Sequence, residues 1–176
     1  REDQVAWRAG QRYVARLVPQ SAPKQAKRLA QPLQADASYL ISGGLGALGL
    51  QVAHALVDQG ARHLVLSSRS GANGKDEALQ SLEQRGANVL VVQADVADAT
   101  AVARLVDEIN HRCPPLRGSI HAGGVLDDGV LRQQSAERFA KVLAPKLLGA
   151  WNLHHQTQQL PLDFFVCFSS VASLFG

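Results

Sequence analysis

The sequence predicts an α/β fold, with one parallel β-sheet and helices wound on both of its faces. Three features lead to this prediction. From Ser38 onward, short apolar runs alternate with longer amphipathic segments. The runs are apolar at consecutive positions, which is typical of strands buried on both faces of a parallel sheet. A glycine-rich stretch joins the first run to the first amphipathic segment, which is the sequence form of a strand–turn–helix unit.

The size of the chain agrees with one such domain. It has 176 residues, of which 46% are hydrophobic and 19% are charged. This is enough for a domain with its own core, and it excludes a disordered polymer or a disulfide-rich miniprotein. The sequence contains no methionine, not even at position 1. We therefore expect these residues to be a piece of a longer polypeptide.

Cysteine usage and hydropathy indicate a soluble, cytoplasmic protein with no membrane partner. Cys113 and Cys167 lie 54 residues apart without a CxxC pair, so neither a zinc cage nor a disulfide framework is indicated. No apolar run approaches the roughly 20 residues of a membrane span. Arg1 to Gly10 lacks the apolar core of a signal peptide.

The formal charge of +3 is unevenly distributed, which argues against a nucleic-acid partner. Residues 1–36 hold seven Lys or Arg and three acidic residues, whereas residues 37–176 hold eleven and twelve. The part of the chain predicted to be compact therefore carries no basic excess, and we predict no nucleic-acid binding.

The region before the sheet is predicted to contain one strand and a linker. Residues 11–19 alternate in a pattern that favours a strand. Residues 20–37 are rich in Ala, Gln, Lys and Pro, and Pro23 and Pro32 interrupt any long helix, so we predict a linker. The strand has no predicted partner nearby, and we assign residues 1–19 to the end of a preceding structural subdomain. The main domain is predicted over 38–176.

The main domain is predicted to contain five strands joined by helical crossovers. The predicted strands are Ser38 to Ser42, His63 to Ser67, Asn88 to Gln93, Gly118 to Ala122 and Asp163 to Ser169. The predicted helices are Gly46 to Gln59, Lys75 to Arg85, Thr100 to His111 and Ser135 to Gln156. Gly60 and Gly86 stand where helix C-caps are expected, and Pro145 is expected to break or kink the last helix. Right-handed crossovers then give a doubly wound, Rossmann-type sheet.

The glycine-rich stretch from Ser42 to Gly49 (SGGLGALG) predicts dinucleotide binding. Glycines at this place allow a tight turn and let the backbone approach a pyrophosphate, whose charge is met by the N–H groups and dipole of the following helix. The alternative is a close-packed strand–helix turn that binds no ligand.

The end of the second strand predicts which cofactor is bound. NAD-preferring sites place a carboxylate there, but this chain has Arg69 beside Ser68, and a guanidinium favours the 2′-phosphate of NADPH. The alternative is a solvated loop arginine. Asp95, at the end of the third strand, is expected to contact adenine, to cap the next helix, or both.

Further motifs extend the pattern along nearly the whole chain. They are Ala94 to Val96, His121 to Gly129, Lys146 to His154 and Phe168 to Ser173. With the glycine stretch and Ser68-Arg69, they make the sequence resemble the ketoreductase domains of modular type I polyketide synthases, in the short-chain dehydrogenase/reductase superfamily. Gln4 to Leu17 also resembles the closing strand of the structural subdomain that precedes the catalytic half in this family. The resemblance implies an incomplete sheet at the C-terminus.

The resemblance implies a set of site residues. Ser170 matches the serine that hydrogen-bonds the substrate carbonyl, with Ser169 as a close competitor. Lys146, which precedes Ser170 by 24 residues, matches the lysine that binds the nicotinamide ribose and lowers the pKa of a tyrosine proton donor. The implied cofactor-binding residues are Gly43, Gly44, Leu45, Gly46, Leu48, Ser68, Arg69, Asp95, Val96, Ala122, Gly123, Lys146 and Ser169. Gly123 departs from the family, where alanine is common.

The resemblance also implies the configuration of the alcohol product, through three consecutive residues. Leu126-Asp127-Asp128 resembles the LDD motif of B-type ketoreductases, which orient the acyl chain to give the D-configured, 3R alcohol. No tryptophan follows Trp151, and a tryptophan near the catalytic strand marks the opposite class. The alternative is a plain acidic loop. None of the six histidines forms a ligand cluster, so we predict no metal, and we assign His121 a structural role.

The proton donor of the family is a tyrosine about 13 residues after the serine, which is near position 183. Only Tyr13 and Tyr39 occur in the chain, so the 176 residues by themselves are expected to be inactive. The parent protein is expected to reduce a β-ketoacyl thioester with NADPH, the substrate being carried by the phosphopantetheine arm of an acyl carrier protein among neighbouring synthase domains.

Two other functions stay open at this stage. One is a noncatalytic nucleotide-binding or scaffold segment of a synthase. The other is a free-standing reductase of the fatty-acid type, which the extra strand before Ser38 disfavours.

Overall fold

The structure is a computed structural model that describes residues 5–19 and 33–172. The chain divides into two compact units, one of residues 1–31 with 169–176 and the other of residues 32–168.

The first unit contains a β-hairpin. Strand β1 (Ala6–Arg8) pairs antiparallel with β2 (Gln11–Tyr13). Ala9 and Gly10 form the turn with φ of 48° and 76°, as in a two-residue type I′ turn. The predicted strand over 11–19 is therefore shorter, and the prediction that it lacks a nearby partner is wrong. The sequence hides this hairpin because alanine seldom adopts positive φ, so the turn lacks the usual Asn-Gly signal.

The predicted linker is described only at its end. Gln4 and residues 20–32 lie outside the described residues, and residues 33–37 lead through a turn into the sheet. The boundaries predicted at 19 and 37 stay predictions.

Within residues 33–172, the structure has a five-stranded parallel sheet in the order β5-β4-β3-β6-β7. Its strands are β3 (Ser38–Ser42), β4 (His63–Ser68), β5 (Asn88–Gln93), β6 (Leu116–His121) and β7 (Phe164–Cys167). Numbered from the first strand of the sheet, the order is 3-2-1-4-5, which is that of a Rossmann-type fold. The predicted α/β class and parallel sheet are confirmed.

Helices form the crossovers between these strands. They are α1 (Ala47–Asp58), α2 (Asp76–Gln84), α3 (Ala99–Arg112), α4 (Ala136–Leu143) and α5 (Gly149–Thr157). A 3₁₀ turn (Leu131–Gln133) precedes α4, and a π-helical turn (Ala144–Leu148) joins α4 to α5. The break expected at Pro145 is therefore confirmed. No helix in the described ranges is long and apolar enough to cross a membrane.

The sheet is covered on both faces, as a doubly wound fold requires. Tyr39 and Ile41 of β3 pack with α1 and α2 on one face, whereas Leu40 packs with α3 and α5 on the other. In β4, Leu64 and Leu66 pack on the first of these faces and Val65 packs on the second. Burial on both faces explains why β3 and β4 read as continuous apolar runs rather than alternating ones.

Helices α1 and α2 end in the same way. Gly60 and Gly86 follow the last helical turn with φ of 107° and 85°. In both cases the glycine N–H bonds three residues back, and the next N–H bonds five residues back, which is a Schellman motif. The predicted glycine ends of these helices are confirmed.

Candidate active site

A cleft of about 230 Å³ opens at the carboxyl end of the sheet strands. It lies where β3 and β6 are neighbours, which is the point where the chain turns from one half of the sheet to the other. Ligands of open α/β sheets bind at this switch point. The lining residues are Gly43, Gly46, Ser67, Ser68, Arg69, Ser70, Ala94, Asp95, Val96, Ala122, Gly123, Gly124, Val125 and Pro145.

The glycine stretch forms the floor of the cleft. Gly43 has φ of 70°, and a Cβ there would lie 2.7 Å from the Cα of Gly123, so this turn packs directly against the end of β6. A Cβ on Gly44 would lie 2.7 Å from the carbonyl oxygen of Ile41. These two positions require glycine for space, and Gly43 also requires it for its backbone conformation.

The other predicted residues of this stretch have different surroundings. Leu45 is buried in the core, and Leu48 is half exposed on the first turn of α1. Gly46 caps α1, which has no side-chain cap and no acidic residue in its first turn. The first N–H groups of this helix are therefore suited to an anion.

A short loop after β4 carries Arg69. Ser68 Oγ donates to the Gly71 carbonyl oxygen at 3.1 Å, and the Arg69 carbonyl oxygen accepts from Gln93 Nε2 at 2.8 Å. These bonds hold the backbone, while the Arg69 side chain is exposed at the cleft. No ion pair engages its guanidinium among the residues that the structure describes.

Asp95 lines the cleft but does not cap α3. Its Oδ1 accepts from the N–H of Ala97 at 2.9 Å. The N-cap is Asp98, whose Oδ1 accepts from Thr100 N and Ala101 N. The cap role considered for Asp95 is therefore wrong, because α3 begins at Ala99 and Asp98 stands at the capping position, three residues beyond Asp95. Val96, its neighbour, uses its carbonyl oxygen to accept from the buried Asn152 Nδ2 at 2.9 Å.

A buried histidine joins the glycine stretch to the last helical segment. His121 Nδ1 lies 2.6 Å from Ser42 Oγ, and its Nε2 lies 2.8 Å from the Pro145 carbonyl oxygen. Burial lowers the pKa of this imidazole, so the ring is neutral. Because a carbonyl oxygen only accepts, Nε2 carries the proton and Nδ1 accepts from the Ser42 hydroxyl. These bonds agree with the structural role predicted for His121.

Lys146 lies in the π-helical turn, where the Gly149 N–H bonds the Ala144 carbonyl oxygen five residues back. Lys146 Cε lies 3.6 Å from the place of a Cβ on Gly124, which lines the cleft. The lysine side chain therefore runs beside the cleft, although Lys146 itself is not a lining residue. Its ammonium makes no hydrogen bond or ion pair within the described part of the chain.

The segment that follows β6 carries Leu126, Asp127 and Asp128. Leu126 is 81% exposed. Asp127 is bound by Arg138 and Lys141, which hold the pKa of its carboxyl below its usual range.

Ser169 and Ser170 belong to the other compact unit. There, Ser170 Oγ accepts from the N–H of Ala172 at 3.2 Å. The structure thus brings together most of the predicted cofactor residues and Lys146, whereas the two serines are part of a separate unit. Ser173 lies outside the described residues.

Six lining residues were not among the predicted site residues: Ser67, Ser70, Ala94, Gly124, Val125 and Pro145. The first five adjoin predicted residues at strand ends, so the ends of parallel strands are the signal that identifies them. Pro145 could be recognised from the sequence only as a helix breaker. Within the described residues, no group of His, Cys, Asp and Glu side chains could hold a metal ion.

Comparisons with known proteins agree with this architecture. The family model described as the KR domain matches residues 37–176. A phenolphthiocerol synthesis polyketide synthase type I, Pks15/1 of Mycobacterium marinum, is 47% identical over 145 residues, which cover 81% of this chain and 7% of that protein. The chain therefore spans less than a tenth of the length of this relative.

Solved structures of ketoreductases share the fold. The ketoreductase from the first module of phoslactomycin biosynthesis in Streptomyces sp. HK803 has a TM-score of 0.85 and 35% identity, over 99% of this chain and 40% of that one. A structure described as an A-type ketoreductase from a modular polyketide synthase has a TM-score of 0.83 and 39% identity, over 99% and 37%. On the family match and these likenesses, the chain belongs to the ketoreductase domains of polyketide synthases.

Proposed function

We propose that the protein carrying these residues uses NADPH to reduce a β-ketoacyl thioester to a β-hydroxyacyl thioester during polyketide assembly. The observation that carries this proposal is the cleft at the switch point, where the glycine turn, Arg69 and the Lys146 side chain come to one edge of the sheet. The substrate would be presented by the phosphopantetheine arm of an acyl carrier protein from the same synthase.

The cleft residues fit a phosphorylated dinucleotide. Gly43, Gly44 and Gly46 leave the backbone open to a pyrophosphate at the start of α1, which has no side-chain cap. Arg69 offers an exposed guanidinium to a 2′-phosphate. Asp95, held by its bond to the Ala97 N–H, is proposed to contact the adenine. NADPH would supply the hydride.

Lys146 and Ser170 are proposed to act on the reacting end of the substrate. The Lys146 ammonium would bind the nicotinamide ribose and favour the phenolate form of a tyrosine donor. Ser170 would donate a hydrogen bond to the substrate carbonyl oxygen, with Ser169 beside it.

The donor itself is proposed to be a tyrosine that these 176 residues do not supply. Tyr39 is buried, stacks on Phe164 with ring centroids 5.9 Å apart, and accepts from the Gln34 N–H. It stands four residues before Gly43, at the opposite end of β3 from the cleft. We therefore assign turnover to the protein that carries the chain, and expect the chain by itself to be inactive.

The configuration of the product alcohol is also part of the proposal. The Leu126-Asp127-Asp128 triplet favours a B-type reductase and a 3R alcohol. Because an A-type structure is 39% identical to this chain, overall similarity does not separate the two classes, and the proposal depends on the triplet.

The proposed function is tested by supplying the full-length protein with NADPH and a β-ketoacyl thioester on an acyl carrier protein, and following NADPH absorbance. Oxidation of NADPH with formation of the 3-hydroxyacyl product is the expected result. Binding of NADPH without turnover would contradict the proposal and favour a noncatalytic nucleotide-binding segment.

A further inference from the structure

The segment 122–130, between β6 and the 3₁₀ turn, contains no helix or strand, yet it includes the triplet from Leu126 to Asp128. Leu126 and Val130 are 81% and 64% exposed. A segment with so little burial has no core packing to fix its conformation. Its order therefore depends on hydrogen bonds, and one side chain, that of Arg138, supplies four of them within the described residues.

Arg138 holds both the side chain and the backbone of the triplet. Its Nε and Nη2 donate to Asp127 Oδ1 at 3.0 and 2.5 Å. Nη2 also donates to the carbonyl oxygens of Asp127 and Asp128 at 3.1 and 2.9 Å. Nη1 donates to the Gln133 carbonyl oxygen at 3.0 Å. One planar guanidinium therefore spans the segment from the triplet to the 3₁₀ turn.

The space for this guanidinium is made by Gly129. A Cβ on Gly129 would lie 2.9 Å from Nη1 and 3.0 Å from Nη2 of Arg138. The backbone of Gly129 does not have positive φ, so a side chain here would conflict with the position of the guanidinium and not with the backbone conformation. Gly129 and Arg138 are thus matched in shape.

Arg138 also connects the triplet to the helix that leads to Lys146. It lies in the first turn of α4, where its N–H donates to the N-cap oxygen Ser135 Oγ at 3.4 Å. Helix α4 continues directly into the π-helical turn that carries Lys146. The triplet is therefore fixed relative to the same helical segment as the lysine.

We propose that Arg138 is a positioning residue for substrate orientation. It fixes the backbone of residues 126–129, so that Leu126 and Asp128 present one fixed face to the acyl chain. Asp127 is then the internal anchor of the segment, since its two carboxylate oxygens are bound by Arg138 and Lys141. This inference rests on the proposed function, and it assigns specificity to a residue outside the triplet.

The test uses Arg138→Gln in the full-length protein, with the ratio of 3R to 3S alcohol, the KM for the β-ketoacyl thioester and the Kd for NADPH as readouts. We expect the ratio to fall about 10-fold and KM to rise about 10-fold, because charge-assisted bonds are lost from the segment. The Kd for NADPH should change less than about 2-fold, because Arg138 is not among the cleft-lining residues.

Matched variants separate positioning from charge and from folding. Arg138→Lys keeps the charge without the planar fork and should recover only part of the ratio. Gly129→Ala leaves every charge in place, crowds the guanidinium, and should lower the ratio as Arg138→Gln does. Arg132→Gln removes an exposed charge from the neighbouring turn and should leave the ratio unchanged.

The outcomes distinguish the inference from the function on which it rests. A wild-type protein that forms no alcohol overturns the proposed function. If the wild-type protein forms the alcohol, and Arg138→Gln has the same 3R to 3S ratio and the same KM, the role of Arg138 is overturned and the proposed function stands. If Arg138→Gln does not fold, Gly129→Ala and Arg138→Lys decide: a ratio unchanged in both means that Arg138 only stabilises the fold.

Discussion

His121 donates a 2.8 Å hydrogen bond from Nε2 to the carbonyl oxygen of Pro145, and this bond ties the end of β6 to the π-helical turn. Proline has no N–H and cannot continue the bonding of a regular helix, and the chain bulges by one residue at this point. π-Bulges of this kind are frequent at functional sites. Lys146 lies within this turn, so the histidine holds the backbone that carries the lysine.

Replacing His121 by Asn should therefore weaken the fold in a pH-dependent way. The folded pKa of His121 is lowered by burial, so protonation favours the unfolded state. The neutral ring contributes fully to the free energy of unfolding above the unfolded pKa of about 6.5. This contribution is lost as pH falls below that value, by up to about 1.4 kcal/mol per pH unit. The wild-type free energy of unfolding should fall more steeply below pH 6.5 than that of His121→Asn.

Urea unfolding of the 176-residue chain between pH 5 and pH 8 measures this difference. His155→Asn serves as the control, because His155 is exposed on α5, and its pH profile should match the wild type. Parallel profiles for wild type and His121→Asn would show that the bridge to Pro145 does not depend on a neutral ring.

Gly43→Ala should destabilise the chain more than Gly74→Ala. The two glycines have nearly the same φ, 70° and 67°, so alanine is strained by the backbone at both. A Cβ at Gly74 meets nothing within 4 Å, whereas one at Gly43 lies 2.7 Å from the Cα of Gly123. The pair therefore separates the steric contact in the cleft floor from the backbone strain.

The expected cost is about 1–2 kcal/mol for Gly74→Ala and about 1–3 kcal/mol more for Gly43→Ala, measured by urea unfolding. NADPH binding should weaken only in Gly43→Ala. Equal losses of stability in the two variants would mean that the cleft floor yields to a side chain, contrary to the close packing described.

Gly118→Ala tests the packing between β6 and β7. A Cβ at Gly118 would lie against the ring of Phe164 and 2.8 Å from Cδ1 of Tyr39, and these two rings are stacked. Overpacking of this kind should cost about 1–3 kcal/mol of unfolding free energy.

A double-mutant cycle identifies the partner. Phe164→Leu makes room beside Gly118, so the double variant should lose less stability than the sum of the two single variants. Additive losses would indicate that the alanine is accommodated elsewhere.

The centre of the sheet could be predicted from the sequence because β3 and β4 are buried on both faces. Leu40 and Ile41 belong to cores on opposite sides, so the run must be apolar throughout, and such runs define their own limits. The ends of α1 and α2 could also be predicted from the sequence, because the residue after a helix often has positive φ and is then usually glycine, as at Gly60 and Gly86.

Three features could not be predicted, each for a physical reason. The Ala9-Gly10 turn uses an alanine where turns favour asparagine or aspartate. The break at Pro145 is visible in the sequence but its π-helical form is not, and the carbonyl oxygen of Pro145 is bonded by His121, which is 24 residues distant in the chain. Arg138 binds an irregular segment ten and eleven residues earlier, and no periodic pattern marks such a contact.

The cleft at the switch point is proposed to bind NADPH through Arg69. Arg69→Ala should raise the Kd for NADPH roughly 10- to 100-fold, the value of charge-assisted bonds to a phosphate. The Kd for NADH, which lacks that phosphate, should change less than about 2-fold. Arg104→Ala, an exposed arginine on α3, should leave both constants unchanged.

The most direct measurement is the titration of NADPH and NADH into the wild-type protein and Arg69→Ala, in the full-length polypeptide and at one ionic strength. We predict that the wild type prefers NADPH and that Arg69→Ala removes this preference. Equal affinity for the two cofactors in the wild type, or a preference that survives in Arg69→Ala, would contradict the claim.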